Sequence, residues 1–203
     1  MRRHQFVGVA VLSALLGACG LPAVISVPPS AEAVHTAIHS ANRPVVASVE
    51  VVNDAPPPKG EYPAFGSSIL PAATNTAETV ASDLKSYFAG ATVHGAPEAQ
   101  RVIARIEKAD AYWVMPVSGS LPVVGLLTLG GDREFFMNVR VSFEVEVHGK
   151  VVRTFAANER FSISDGKTAT QDDIAQSYRR LVARYREQFF STLDKTFTER
   201  YLD

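Results

Sequence analysis

The strongest constraint on what this chain can fold into is a run of faultless alternation. Met137, Val139, Val141, Phe143, Val145 and Val147 alternate with Asn138, Arg140, Ser142, Glu144, Glu146 and His148. Apolar and polar side chains at period two belong to a strand with one buried face and one wetted face. His148-Gly149 then marks a tight turn, and the apolar residues beyond it, Val151, Phe155, Ala157, Phe161 and Ile163, are again odd-numbered. A two-residue loop pairs an odd position with an even one and would expose this second set. An odd loop, Val147-His148-Gly149 with Gly149 at a left-handed bulge position, keeps both sets on one face. That register sets Glu146 opposite Lys150 and leaves Arg153 facing inward, where its stem must snorkel to an edge.

Proline placement divides the rest. All twelve prolines lie at or before Pro122, so the C-terminal part is free to build long regular elements and the N-terminal part reads as loops around shorter ones. Residues 20–44, with Pro22, Pro28, Pro29 and Pro44, read as a spacer, with a short helix over Ser30–Asn42. Val45–Val52 is β-branched and reads as a first strand, and Ala55–Thr74 as a long proline-rich loop. Asn75-x-x-Glu78 is a capping box that opens a helix, with Val80, Leu84 and Phe88 on one stripe. Ala91–His94 reads as a short strand and Ala111–Ser118 as another. Between them, Val102, Ile103 and Ile106 suggest a helix over Pro97–Lys108.

Thr170-x-x-Asp173 begins the last element. Ile174, Tyr178, Leu181, Tyr185, Phe189, Leu193 and Phe197 step by three or four along an amphipathic helix of about 30 residues. At ~1.5 kcal/mol or more per large buried side chain, that stripe must pack on the sheet. The expectation is an α+β domain over 45–203: a mostly antiparallel sheet with a long hairpin and helices packed on one face, including a long C-terminal helix.

The N-terminus carries an address rather than a fold. Arg2 and Arg3 precede an apolar run, Phe6–Leu16, that is shorter than the roughly 20 residues a spanning helix needs. Leu16-Gly17-Ala18-Cys19 follows, and Cys19 is the sole cysteine of 203 residues. This resembles the lipobox of bacterial lipoproteins, which implies cleavage between Ala18 and Cys19 and acylation of the Cys19 thiol. By the same resemblance, Gly20 rather than Asp after the cysteine implies the outer membrane. The division is then signal peptide 1–18, lipid-anchored spacer 19–44 and one periplasmic domain. The chain has 20 basic and 21 acidic residues. Cleavage removes Arg2 and Arg3 and no acid, leaving a net charge of −3. That balance excludes a nucleic-acid binder, which shows a basic excess.

Across roughly 45–163 the chain resembles the sandwich domain of curli-secretion-type lipoproteins and the N-terminal domain of TolB-like proteins. Val45-Val46-Ala47-Ser48-Val49-Glu50-Val51-Val52-Asn53 is similar to their opening strand, and Ala109-Asp110-Ala111-Tyr112-Trp113-Val114 to their entry into a later strand. The resemblance implies a fold and a compartment, not an activity. The chain departs from it at the apolar insert Leu121–Gly131, the proline-rich loop and the long last helix.

Little in the chain is equipped for chemistry. There is no Gly-x-Ser-x-Gly elbow or phosphate-cradling glycine loop, and Glu107, Asp110, Asp132 and Glu134 read as solvated strand ends. Glu32, His35 and His39 share a helical face but sit in the spacer, with nothing nearby to orient them as ligands, so no metal and no cofactor is expected. Phe135, Phe136, Phe143 and Phe155 read as core, and Arg179, Arg180, Arg184 and Arg186 as the wet face of the last helix. The segment singled out for contact is Leu121, Val123, Val124, Leu126, Leu127 and Leu129, either a buried hairpin strand or an apolar lip for a partner. The expected function is non-enzymatic: a lipid-anchored envelope protein that binds the bilayer through Cys19 and serves an envelope protein partner in assembly or transport. A carrier of an apolar ligand between sheet and helices, and a cell-wall hydrolase, are the alternatives.

Overall fold

The computed structural model describes residues 23–28, 46–61, 67–89, 100–115, 132–166 and 170–201. The order is β1 (Val46–Asn53), β2 (Ser68–Pro71), α1 (Thr76–Ala89), β3 (Gln100–Met115), β4 (Arg133–Val147), β5 (Lys150–Asp165) and α2 (Gln171–Tyr201). The strands form one sheet in the order β1-β3-β4-β5, with β2 also on β3. All pairings are antiparallel except β1 with β3, which are parallel and joined through α1. The fold is α+β with a mostly antiparallel sheet and a long C-terminal helix, as the sequence pattern predicts.

The β4–β5 hairpin keeps both odd-numbered sets together, but by a different device from the expected odd loop. His148 and Gly149 have φ of 52° and 73°, a two-residue turn that favours the native strand twist. Val147 pairs with Lys150, Glu146 with Val151 and Val145 with Arg153. Val152 is therefore the extra residue of a bulge, and the bulge rather than the turn restores parity. Glu146 faces Val151, not Lys150. Val151 turns outward with Val152, at 50% and 53% exposure, and Arg153 is exposed.

The expected helix over Pro97–Lys108 is instead the first half of β3, continuous with the strand expected at 111–118. Val102, Ala104 and Ile106 are buried at even positions, then Ala109, Ala111 and Trp113 at odd ones. The switch falls where Ile106 pairs with Val141 and Lys108 with Arg140, so Glu107 bulges out. Val102, Ile103 and Ile106 fit a helical stripe as well as half a strand, and the bulge hides the period-two pattern that would have decided between them. The loop expected over 55–74 contains β2, which ends at Pro71, a residue with no backbone donor of its own. The elements expected at 30–42 and 91–94 lie outside the described residues.

One face of the sheet is covered by both helices. Phe135, Met137, Val139, Val141 and Phe143 of β4 are fully buried there, as are Tyr178, Leu181, Tyr185, Phe189 and Phe197 of α2. α2 begins as its sequence predicts. The backbone N–H and hydroxyl of Thr170 donate to the Asp173 carboxylate, and the Asp173 N–H donates to the Thr170 hydroxyl. The other face is a lattice of ion pairs: Arg101 with Glu50 and Glu146, Arg105 with Asp54, Arg140 with Glu107, and Arg160 with Glu134. Glu107 and Asp110 are thus mid-strand partners rather than solvated strand ends; Asp110 is 7% exposed and accepts from Asn138. Phe136 lies on this outer face, tilted against Tyr112 and roofed by the Arg160 guanidinium at 4.0 Å.

Candidate functional site at the docked N-terminal strap

Residues 23–28 were expected within a spacer. They lie instead against the body as an extended strap. Ile25 is buried, Ala23 and Val27 pack on the core, and Val24, Ser26 and Pro28 are exposed, the period-two pattern of an edge strand. The body holds the strap through its backbone. The Thr74 N–H donates to the Ala23 carbonyl at 3.2 Å. Asn75 reads both polar groups of Ile25, accepting from its N–H at 3.1 Å and donating to its carbonyl at 3.0 Å. Asn75 sits in the capping position of α1, as expected, but its amide reaches out to the strap. The first turn of α1 is closed instead by Thr79, whose N–H and hydroxyl both donate to the Asn75 carbonyl.

At the far end of the strap, Arg186 Nη2 donates to the Pro28 carbonyl at 3.2 Å. The same guanidinium grips Asp83 of α1 with two parallel bonds, Nε to Oδ2 at 2.9 Å and Nη2 to Oδ1 at 2.8 Å. Both side chains are buried, at 6% and 0% exposure. Burial pushes the Asp83 carboxyl up, and the Arg186 hydrogen bond and charge oppose that push. Arg186 was expected on the wet face of α2 with Arg179, Arg180 and Arg184. Those three are exposed, whereas Arg186 stands four residues from both Val182 and Phe190, on the buried stripe. That spacing is the signal that could have found it. Asp83 carries the same signal, lying between Val80 and Leu84 on the apolar face of α1.

Hydroxyls complete the seam. The Tyr178 hydroxyl donates to Thr76 Oγ1 at 3.3 Å, and burial raises its pKa. Tyr185 is fully enclosed, and burial with the nearby Asp83 charge holds its phenol well above the ordinary range. Among the described residues its hydroxyl has no hydrogen-bond partner. Glu159, on β5, also faces α2. It lies opposite Val139, and burial raises its pKa while its bond to Thr192 lowers it.

Ala18, Cys19, Leu121, Val123, Val124, Leu126, Leu127, Leu129, Glu32, His35 and His39 all lie outside the described residues. Their neighbours are placed. Ala72 N–H donates to the Ala111 carbonyl, and Thr74 N–H donates to the Ala23 carbonyl. The apolar segment falls in the sequence between Met115, the last residue of β3, and Asp132. Among the described residues no group of three or more His, Cys, Asp or Glu could hold a metal, and no helix is long and apolar enough to cross a membrane.

No family model matches this chain, and no curated protein matches it. Among solved structures, the chain is similar to the crystal structure of protein XCC0632 from Xanthomonas campestris, of the bacterial family DUF330. That match has a TM-score of 0.38 and 7% identity, covering 80% of this chain and 89% of the other.

Proposed function

We propose that this chain is a lipid-anchored envelope protein, cut between Ala18 and Cys19 and acylated on Cys19. Its body faces the periplasm from the outer membrane and serves an envelope protein partner as a binding, assembly or transport-accessory subunit, without catalysis of its own. The observation that carries the reading is positional. Cys19 precedes the docked Ala23 by four residues, a reach of at most about 14 Å. Acylation of Cys19 would therefore keep the Ala23 end of the strap close to the bilayer. The apolar run Leu121–Gly131 suits contact with a membrane-embedded partner. The likeness of the opening and entry strands to curli-secretion-type and TolB-like domains supports the same compartment.

The carrier reading is less favoured, because the space between sheet and helices is filled by rings. Phe143 stacks on Phe155 at 4.8 Å, and Phe197 meets Phe88, Phe143 and Phe155 within 6 Å. The test is recovery of the acylated chain from intact envelopes in mild detergent. We expect one stoichiometric envelope protein to accompany it, and Leu126→Asp to release that protein while the anchor stays acylated. Recovery of the chain alone, with Leu126→Asp indistinguishable from the parent, would contradict the accessory role.

A further inference from the structure

The strap's one buried side chain is Ile25, and its polar grips come from Thr74, Asn75 and Arg186, all of which bind main-chain atoms. Segments with few buried apolar contacts open at lower free energy than the core around them. What holds the strap down is nonetheless built into the core. Arg186 is oriented by its two bonds to Asp83, and Asn75 sits at the end of α1. The groove is thus preformed, whereas the peptide in it is weakly kept.

We propose that residues 23–28 are a releasable latch that sets how far the body stands from the membrane. The proposal rests on the reading of Cys19 as the anchor. With the strap docked, Cys19 lies at most about 14 Å from Ala23. With the strap released, the next residue fixed in the sheet is Val46, and the chain between it and Cys19 spans at most about 90 Å. Docking also fixes orientation, since the strap is gripped at Ala23, Ile25 and Pro28 along its length. The latched body presents the Ala23 end of the strap to the bilayer. The unlatched body turns freely and reaches a partner farther from the membrane.

The experiment uses the full acylated chain on phosphatidylcholine vesicles, with a donor dye on Lys85→Cys and acceptor lipids in the bilayer. Hydrogen exchange over 23–28, α1 and α2 is followed on the same samples. Ile25→Asp should speed exchange of the 23–28 amides tenfold or more and lower energy transfer to the bilayer, with α1 and α2 amides unchanged. Asn75→Asp keeps the acceptor for the Ile25 N–H but loses the donor to the Ile25 carbonyl, and should give a smaller increase over 23–28. Val24→Asp, at a site 76% exposed, should match the parent. The latch is overturned if the parent strap already exchanges at free-peptide rates, or if Ile25→Asp changes neither readout. It is equally overturned if Ile25→Asp opens α1 and α2 together with the strap, because the strap is then core and not a latch. A chain that fails to bind vesicles and lacks acyl mass refutes the anchor, while the exchange data still decide the strap.

Discussion

The two ends of the α1–α2 seam are built from opposite chemistry. Toward the hairpin, Phe88, Phe143, Phe155 and Phe197 meet edge to face and in stacks, with no charge among them. Toward the strap, Thr76, Asp83, Tyr178 and Arg186 meet through hydrogen bonds and a buried ion pair. Rings stabilise without demanding one geometry, since volume-conserving exchanges are tolerated in cores. A buried ion pair adds little net stability over an apolar pair of the same shape, yet it tolerates only one arrangement. The aromatic end holds the helices on the sheet. The polar end orients them, and with them the strap.

Phe143 is the sharpest probe of the aromatic end, being fully buried and touching three other rings. Phe143→Ala should cost about 3–5 kcal/mol in urea unfolding, and Phe143→Leu less than about 1.5 kcal/mol. Equal losses would mean that ring geometry matters there as much as charge does at the other end. At the polar end, Arg186→Met strands Asp83 and should cost roughly 3 kcal/mol at neutral pH. That loss should shrink on acidification, because burial already raises the Asp83 carboxyl and an unpaired Asp83 takes up a proton more readily. Replacing both partners, Asp83→Leu with Arg186→Met, should recover most of the stability but leave the strap exchanging freely. Recovery of both would remove the distinction between holding and orienting.

A smaller effect is expected at Glu159, whose carboxyl is raised by burial from an ordinary value of 4.5. Its folded form holds a proton that the unfolded form releases. Its contribution is therefore most favourable below pH 4.5 and declines as pH rises through the raised value. Glu159→Gln should raise the melting temperature slightly at neutral pH and not at acid pH, by calorimetry. Smallest of all is Arg105→Ala on the outer face. Its pair with Asp54 is exposed, at 43% and 51%, so the unfolding midpoint should not move beyond measurement error.

How much of this was legible in the sequence depends on whether the pattern was local. The β4–β5 hairpin and α2 announce themselves because burial there follows one period over a dozen residues or more. β3 does not, because the bulge at Glu107 changes its parity halfway and leaves two half-patterns. The strap was hidden for a related reason. Ala23, Ile25 and Val27 alternate, but Pro22 and Pro28 bracket so short a run that it reads as loop. The clamp was hardest to see. A charge is legible as buried only when its place on an apolar stripe outweighs its type, and Arg186 lies in a helix rich in solvated arginines. Its partner Asp83 lies 103 positions away, beyond any local spacing rule.

The proposed anchoring turns on the chemical state of one thiol, and intact mass spectrometry of the chain extracted from membranes reads it directly. The expected result is a chain beginning at Cys19 and heavier than its residues by covalently attached acyl groups. A chain that retains residues 1–18, or one that begins at Cys19 with an unmodified sulfur, would contradict it.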